Sequence, residues 1–86
     1  MADQDDDASS AFRELIRYAR GLEGRVYQLR VVSGGAELWR VVESPGQQTT
    51  SIKEADVRSM EETFQLLEEI RRSLTAAGWL EKPNCA

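Results

Sequence analysis

The sequence predicts one α+β domain of two layers, with two helices packed on one face of a small antiparallel hairpin or three-stranded meander. Apolar residues recur at helical spacing toward both ends of the chain, whereas the middle alternates apolar and polar residues around a glycine pair. A length of 86 residues leaves room for a single hydrophobic core. We therefore expect the order α-β-β-(β)-α over residues 9–80.

The first eight residues are acidic and nearly without apolar side chains. Asp3, Asp5, Asp6 and Asp7 lie among them. Such a segment cannot bury enough apolar surface to offset the entropy of ordering it. We predict a disordered tail over residues 1–8.

The first helix is predicted from an apolar pattern that follows two serines suited to capping a helix N-terminus, Ser9 and Ser10. The apolar positions are Phe12, Leu15, Ile16, Ala19 and Leu22, and the helix should end near Gly21 or Gly24. A second set, Arg13, Arg17 and Arg20, would form a stripe on its exposed side. That stripe is either ordinary solvated surface or a contact site for an acidic partner or a phosphate backbone.

A β-hairpin is predicted next, from two β-branched and aromatic segments, residues 25–32 and 36–43, joined by Ser33-Gly34-Gly35. If Gly34 and Gly35 form a two-residue turn, Val31 faces Leu38 and Arg30 faces Trp39.

The two faces of this hairpin differ in composition. The expected core face carries Tyr27, Leu29, Val31, Leu38 and Val42. The other face leaves Trp39, Val41, Val26 and Arg30 on a surface that neither predicted helix covers. These four residues either stiffen the hairpin or form a contact surface, because tryptophan and arginine are enriched at interface hot spots.

A turn at Ser44-Pro45-Gly46 precedes a brief third strand expected over residues 47–50. The second helix is predicted to begin at Ser51, whose spacing to Glu54 fits a capping box, and to end at Ala77 before Gly78, with Trp79 folded back on Leu74. Its apolar stripe is Val57, Met60, Phe64, Leu67, Ile70, Leu74 and Ala77. We expect Met60, Phe64 and Leu67 at the centre of the core, with a cost of about 3–5 kcal/mol for Phe64→Ala, and fraying of residues 81–86.

The residue types argue against catalysis. There is no histidine, the single cysteine is Cys85, and no glycine-rich loop has phosphate-binding spacing. We therefore expect no enzyme, cofactor, metal site or small-molecule substrate. No apolar run is long enough to predict a membrane segment. A single thiol cannot form an internal disulfide, so we expect a reducing compartment such as the cytoplasm. A net charge of −4 disfavours non-specific binding to nucleic acid.

The hypothesis for function is a small, acidic, non-catalytic protein-interaction module. Its partner would be a second copy of the chain or another protein, bound through Trp39, Val41, Val26 and Arg30.

One alternative is a nucleic-acid-binding domain that uses Arg13, Arg17 and Arg20 with the hairpin arginines. The predicted element order is similar to that of double-stranded-RNA-binding domains, although this chain is acidic where their second helix is basic. Another alternative is an acidic accessory or inhibitor protein of bacteria or phages, which would present carboxylates on its second helix. Those carboxylates are Glu54, Glu61, Glu62, Glu68 and Glu69.

Overall fold

The computed structural model describes residues 12–82, which form five strands and one helix. The predicted acidic tail over residues 1–8, the capping serines and Cys85 lie outside the described residues. In chain order the elements are β1 (Phe12–Arg20), β2 (Glu23–Val32), β3 (Gly35–Glu43), β4 (Thr50–Val57), α1 (Met60–Ala76) and β5 (Leu80–Lys82). The predicted fold of two helices on a hairpin or three-stranded meander is therefore wrong.

The strands form one antiparallel sheet in the order β4-β3-β2-β1-β5. Strands β1 to β4 make a meander, and α1 carries the chain from one edge of the sheet to the other, where β5 pairs with β1. Seventeen helical residues span about 25 Å. That length is enough to cross five strands, whose outer members lie about 19 Å apart at ordinary strand spacing.

The core lies between α1 and one face of the sheet. Its buried cluster comprises Tyr18, Tyr27, Leu38, Leu74 and Trp79, and the partly buried residues packed against it are Leu15, Ile16, Leu66, Leu67 and Ile70. The rings of Tyr18 and Tyr27 meet edge to face with centroids 6.3 Å apart.

The segment predicted as the first helix is strand β1, and a β-bulge explains the misleading pattern. The pairing of β1 with β2 shifts register between Glu14 and Ile16, which leaves Leu15 as the extra residue. Leu15 and Ile16 therefore both pack against the core. Two adjacent apolar residues on one side imitate helical spacing, although the backbone is extended.

The hairpin was predicted correctly as a motif, but its register is different. Leu29 pairs with Leu38 and Val32 pairs with Gly35, which places the turn at Ser33-Gly34. Gly34 has φ of 83°, and a Cβ on Gly35 would lie 2.9 Å from the backbone oxygen of Val57. The shift preserves which residues share a face, but Trp39 lies opposite Gln28 and not opposite Arg30.

The brief third strand expected over residues 47–50 is misplaced, because residues 47–49 are not in a strand, and the helix begins later than predicted. Residues 50–57 form β4, which includes Ser51 and Glu54, so the predicted capping box does not exist. The N-cap is Ser59, whose Oγ accepts a hydrogen bond from the backbone N–H of Glu62 at 3.1 Å. A bulge between Lys53 and Ala55 again mimics helical spacing, since it places Ile52, Ala55 and Val57 on one side.

The predicted end of the helix is confirmed. Gly78 has φ of 90°, and the backbone N–H of Trp79 donates to the Leu74 carbonyl oxygen at 2.9 Å. Residues 81 and 82, assigned from sequence to the C-terminal tail, belong to β5.

The buried side of α1 is rotated away from the predicted stripe. Thr63, Leu66, Leu67, Ile70 and Leu74 face the sheet, and the hydroxyl of Thr63 donates to the Ser59 carbonyl oxygen at 3.0 Å. Met60 and Phe64 are 56% and 61% exposed. Their predicted place at the centre of the core is therefore wrong, as is the large cost expected for Phe64→Ala.

We predict that Leu38→Ala lowers the free energy of unfolding by about 2–5 kcal/mol, because Leu38 is fully buried and its loss leaves a cavity. Urea unfolding followed by circular dichroism measures this change. The matched control is Phe64→Ala, which should stay within about 0.5 kcal/mol of wild type because the ring is mainly in solvent. Equal losses in the two variants would contradict this placement of the core.

Candidate interaction surface

The side of the sheet turned away from α1 is the candidate functional surface, and we call it the outer face. Tyr27 of β2 and Leu38 of β3 point toward the helix, so their neighbours in each strand point away from it. Within residues 12–82 no helix or strand lies over this face. Its larger apolar side chains are Phe12, Val26, Val32, Trp39, Val41 and Leu80.

An aromatic and cationic group lies at the centre of the outer face. The rings of Phe12 and Trp39 meet edge to face with centroids 6.1 Å apart. The Arg30 guanidinium lies 5.5 Å from the centroid of the Phe12 ring. Arg30 was expected to face Trp39 but contacts Phe12 instead, because the hairpin register differs and Phe12 lies in a strand.

Glu37 connects this aromatic group to the ion pairs around it. Its carboxylate accepts a hydrogen bond from Trp39 Nε1 at 3.1 Å, and Lys53 Nζ lies 3.4 Å from its other oxygen. The Trp39 hydrogen bond, with the nearby Lys53 and Arg30, lowers the pKa of the Glu37 carboxyl. Lys53 also pairs with Asp56 at 2.7 Å, and that hydrogen bond is the main cause of the raised pKa of Lys53.

A second ionic group surrounds Arg17 in β1. Its guanidinium bonds both carboxylate oxygens of Glu14, at 3.1 and 3.3 Å, and lies 3.5 Å from Glu43. The hydrogen bonds to Glu14 are the main reason that the pKa of Arg17 is raised. These contacts hold the Arg17 side chain across three strands.

The outer face carries equal numbers of cationic and acidic side chains. The strand pairings place four of each there: Arg17, Arg30, Lys53 and Lys82 with Glu14, Glu37, Glu43 and Asp56. Charge is therefore balanced across a surface whose centre is apolar.

The four residues predicted as an interface do share the outer face, but they differ in access to solvent. Trp39 and Val41 are half-buried and Arg30 is exposed. Val26 is only 2% exposed, between its paired neighbours Arg17 and Val41. Val26 therefore packs beneath its neighbours and is almost fully shielded from solvent, while the other three residues are accessible.

The predicted arginine stripe does not exist, because Arg13, Arg17 and Arg20 lie on a bulged strand and not on a helix. Arg17 points to the outer face. Arg20 lies on the helix side, where its Nη1 donates to the Ala77 carbonyl oxygen at 3.1 Å and its guanidinium stacks 4.8 Å from the Trp79 ring. Arg13 pairs with Leu29, a residue of the helix side.

Of the carboxylates predicted to share one face of the second helix, only Glu54 lies elsewhere, whereas Glu61, Glu62, Glu68 and Glu69 are exposed on α1. Glu54 lies in β4, where it pairs with Arg40. Glu62 accepts a hydrogen bond from the Arg58 backbone N–H at 2.8 Å, and Glu68 faces Arg71 and Arg72. Glu54 and Glu62 thus stabilise local structure, and Glu68 pairs with neighbouring arginines.

Sequence reasoning missed Phe12 and Leu80 as members of the outer face. Phe12 was assigned to the apolar side of a helix, and Leu80 was assigned to the end of the domain. Phe12, Ile16 and Tyr18 are residue types typical of strands, but the bulge at Leu15 obscured that signal here. No local signal shows that Leu80 pairs with Ala19, since that pairing depends on the path of the helix.

Comparison with protein-family models, with curated proteins and with solved structures gives no match to this chain. Among the described residues, no group of three or more histidine, cysteine, aspartate or glutamate side chains is placed to hold a metal ion. The one helix of residues 12–82 is too short and too polar to cross a membrane.

We predict that Glu37 contributes to acid sensitivity. Because its folded-state pKa lies below the ordinary value of 4.5, its ionised form stabilises the protein above that pH, and this stability is lost as the pH falls through the folded-state pKa. Urea unfolding at a series of pH values should therefore show a shallower acid loss for Glu37→Gln than for wild type.

A carboxylate without such partners provides the control for this measurement. Glu69 lies in α1 and makes no ion pair or side-chain hydrogen bond within residues 12–82. Glu69→Gln should therefore follow the wild-type profile more closely than Glu37→Gln does. A second reporter is the Trp39 indole N–H resonance, which should titrate with a midpoint below 4.5. A midpoint at or above 4.5 would contradict the assignment.

Proposed function

We propose that this protein is a non-catalytic interaction module whose outer face binds a second copy of the same chain. The observation that carries the proposal is the one-sided packing of the domain. A single helix covers one face of the five-stranded sheet, and the opposite face keeps an apolar centre around Trp39 and Phe12 without a covering element in residues 12–82. Apolar patches framed by charge are typical of interaction sites.

The charge balance of the outer face favours a copy of itself as the partner. In a two-fold symmetric dimer the same surface meets itself, so a face with a large excess of one charge would repel its copy. Here four cationic side chains accompany four acidic ones. Equal numbers of the two charges avoid that repulsion.

The size of the outer face is also compatible with a dimer. Four strands of eight to ten residues and the three-residue β5, at ordinary spacing, offer about 600 Å² per copy, or about 1,200 Å² in a face-to-face pair. This is the lower end of the range for specific interfaces. Two twisted sheets would pack as an aligned sandwich, with Trp39 and Phe12 as central anchors and Arg30 beside them.

The nucleic-acid alternative has less support, because Arg13, Arg17 and Arg20 do not form one surface. We propose the cytoplasm as the compartment, since a chain with one cysteine forms no internal disulfide.

The deciding experiment is the absolute mass from light scattering after gel filtration, measured over a wide range of protein concentration. We expect a concentration-dependent dimer for wild type and a folded monomer for Trp39→Asp, because a carboxylate at the centre of an apolar interface is left unpaired. Circular dichroism confirms that the variant keeps its fold. Arg30→Glu, at an exposed position, provides a second variant that should also weaken the dimer.

Two other exposed apolar residues provide matched controls. Leu22 lies in the turn between β1 and β2, and Phe64 lies on the solvent side of α1, and both are mainly in solvent. Leu22→Asp and Phe64→Asp should therefore leave the dimer intact. A wild-type monomer at every concentration, or a dimer lost only in Phe64→Asp, would refute the proposal.

A further inference from the structure

A second surface feature lies on the opposite side of the sheet and does not depend on the outer face. A cleft of about 190 Å³ opens between the C-terminal half of α1 and strands β2 to β4. We call it the helix-side cleft, and its lining includes Arg25, Tyr27, Arg40, Glu54, Ile70 and Ser73.

Arg25 is the unusual residue of the helix-side cleft. Its side chain is half-buried, yet it makes no hydrogen bond or ion pair within residues 12–82, and its Nε is fully shielded from solvent. The guanidinium stacks on Trp79, 4.8 Å from the ring centroid. This contact fixes the group in position and leaves its N–H donors without an acceptor.

Arg40 brings a second incompletely bonded guanidinium to the same cleft. Its Nε lies 3.0 Å from Glu54 Oε2, which is ion-pair distance, but the N–H does not point at that oxygen, and the buried Nε has no hydrogen bond. Residues 12–82 contain three buried side-chain polar atoms without a hydrogen bond, and two of them are these Nε atoms.

Both arginines line the helix-side cleft, and each has a buried Nε donor without a hydrogen bond. An unsatisfied buried polar group lowers the stability of the fold, and more so when the group is charged. Glu54 supplies one negative charge against two guanidinium groups. The cleft therefore carries more cationic donors than anionic acceptors, and a tetrahedral oxyanion would offset that excess.

We infer that the helix-side cleft binds a phosphate group through Arg25 and Arg40. Arginine presents a planar set of donors that matches phosphate oxygens, and stacking on Trp79 holds Arg25 ready. Ser73 lines the same cleft and has a hydroxyl that can donate to a phosphate oxygen. Glu54 competes with the phosphate for Arg40.

The test is a titration with inorganic phosphate at constant ionic strength, followed by the arginine Nε–Hε resonances in ¹⁵N NMR. The Arg25 and Arg40 signals should shift and saturate, while that of Arg72, which lies on the exposed side of α1, should not. Arg25→Gln should weaken binding at least about tenfold, since it removes a charge-assisted contact. Arg72→Gln should leave the affinity unchanged.

Glu54→Gln is expected to change the phosphate affinity in the opposite direction. It removes the competing carboxylate while keeping a side chain of similar size, so phosphate should bind more tightly than to wild type. Circular dichroism establishes that each variant is folded. Because the outer face is not involved, Trp39→Asp should bind phosphate like wild type even if it changes the oligomeric state.

The outcomes separate the sources of the phosphate group and can overturn the inference. Competition by a phosphate monoester such as ribose 5-phosphate indicates a group carried by a larger ligand, whereas binding of inorganic phosphate alone indicates the free ion. Linear shifts without saturation, or equal affinities for Arg25→Gln and Arg72→Gln, would mean surface screening only. The absence of any shift would mean that water satisfies the two arginines. Each of these last results refutes the site.

Discussion

The structure depends on one helix that must join strands at opposite edges of the sheet. Strand β4 ends at one edge and β5 pairs at the other, so α1 crosses the face between them. The contact that fixes this path is the buried cluster in which Leu74 and Trp79 meet Tyr18, Tyr27 and Leu38. Arg20 and Arg25, each 4.8 Å from the Trp79 ring, hold the end of the crossing in place.

This one-sided packing creates both surfaces of interest. The helix covers the centre of one face but leaves a cleft beside its C-terminal half, where Arg25 and Arg40 are incompletely bonded. The other face has no cover within residues 12–82, and its side chains bond to one another through Glu37 and Arg17. A domain of this size has a small hydrophobic core and few large apolar residues. An aromatic pair on the uncovered face, and not in the core, therefore indicates a contact surface.

The candidate interface was predictable from sequence to the extent that it depends on alternation. Trp39, Val41 and Arg30 share a face in any extended conformation of their strands. The hairpin register shifted by an even number of residues, so these three residues stay on the same face. Three features of the surface depend on β1 lying beside β2. They are the burial of Val26, the contact of Phe12 with Trp39, and the balance of charge. No local pattern specifies that neighbour. The helix-side cleft was not predictable, because Arg25, Arg40 and Glu54 meet only across three strands.

The sequence by itself determined the hairpin, the end of the helix at Gly78 and the absence of histidine chemistry, because these depend on residue type and on contacts between near neighbours in the chain. The tertiary structure decided the identity of β1, the start of α1 at Met60 and the exposure of Phe64. For β1 and the start of α1 the physical reason is the pair of β-bulges, one in β1 and one in β4, whereas Phe64 is exposed because α1 packs its Thr63 and Leu74 side on the sheet. Each bulge places residues one or three positions apart on the same side of a strand, and that spacing is typical of a helix. Only pairing with a neighbouring strand distinguishes a bulged strand from a helix.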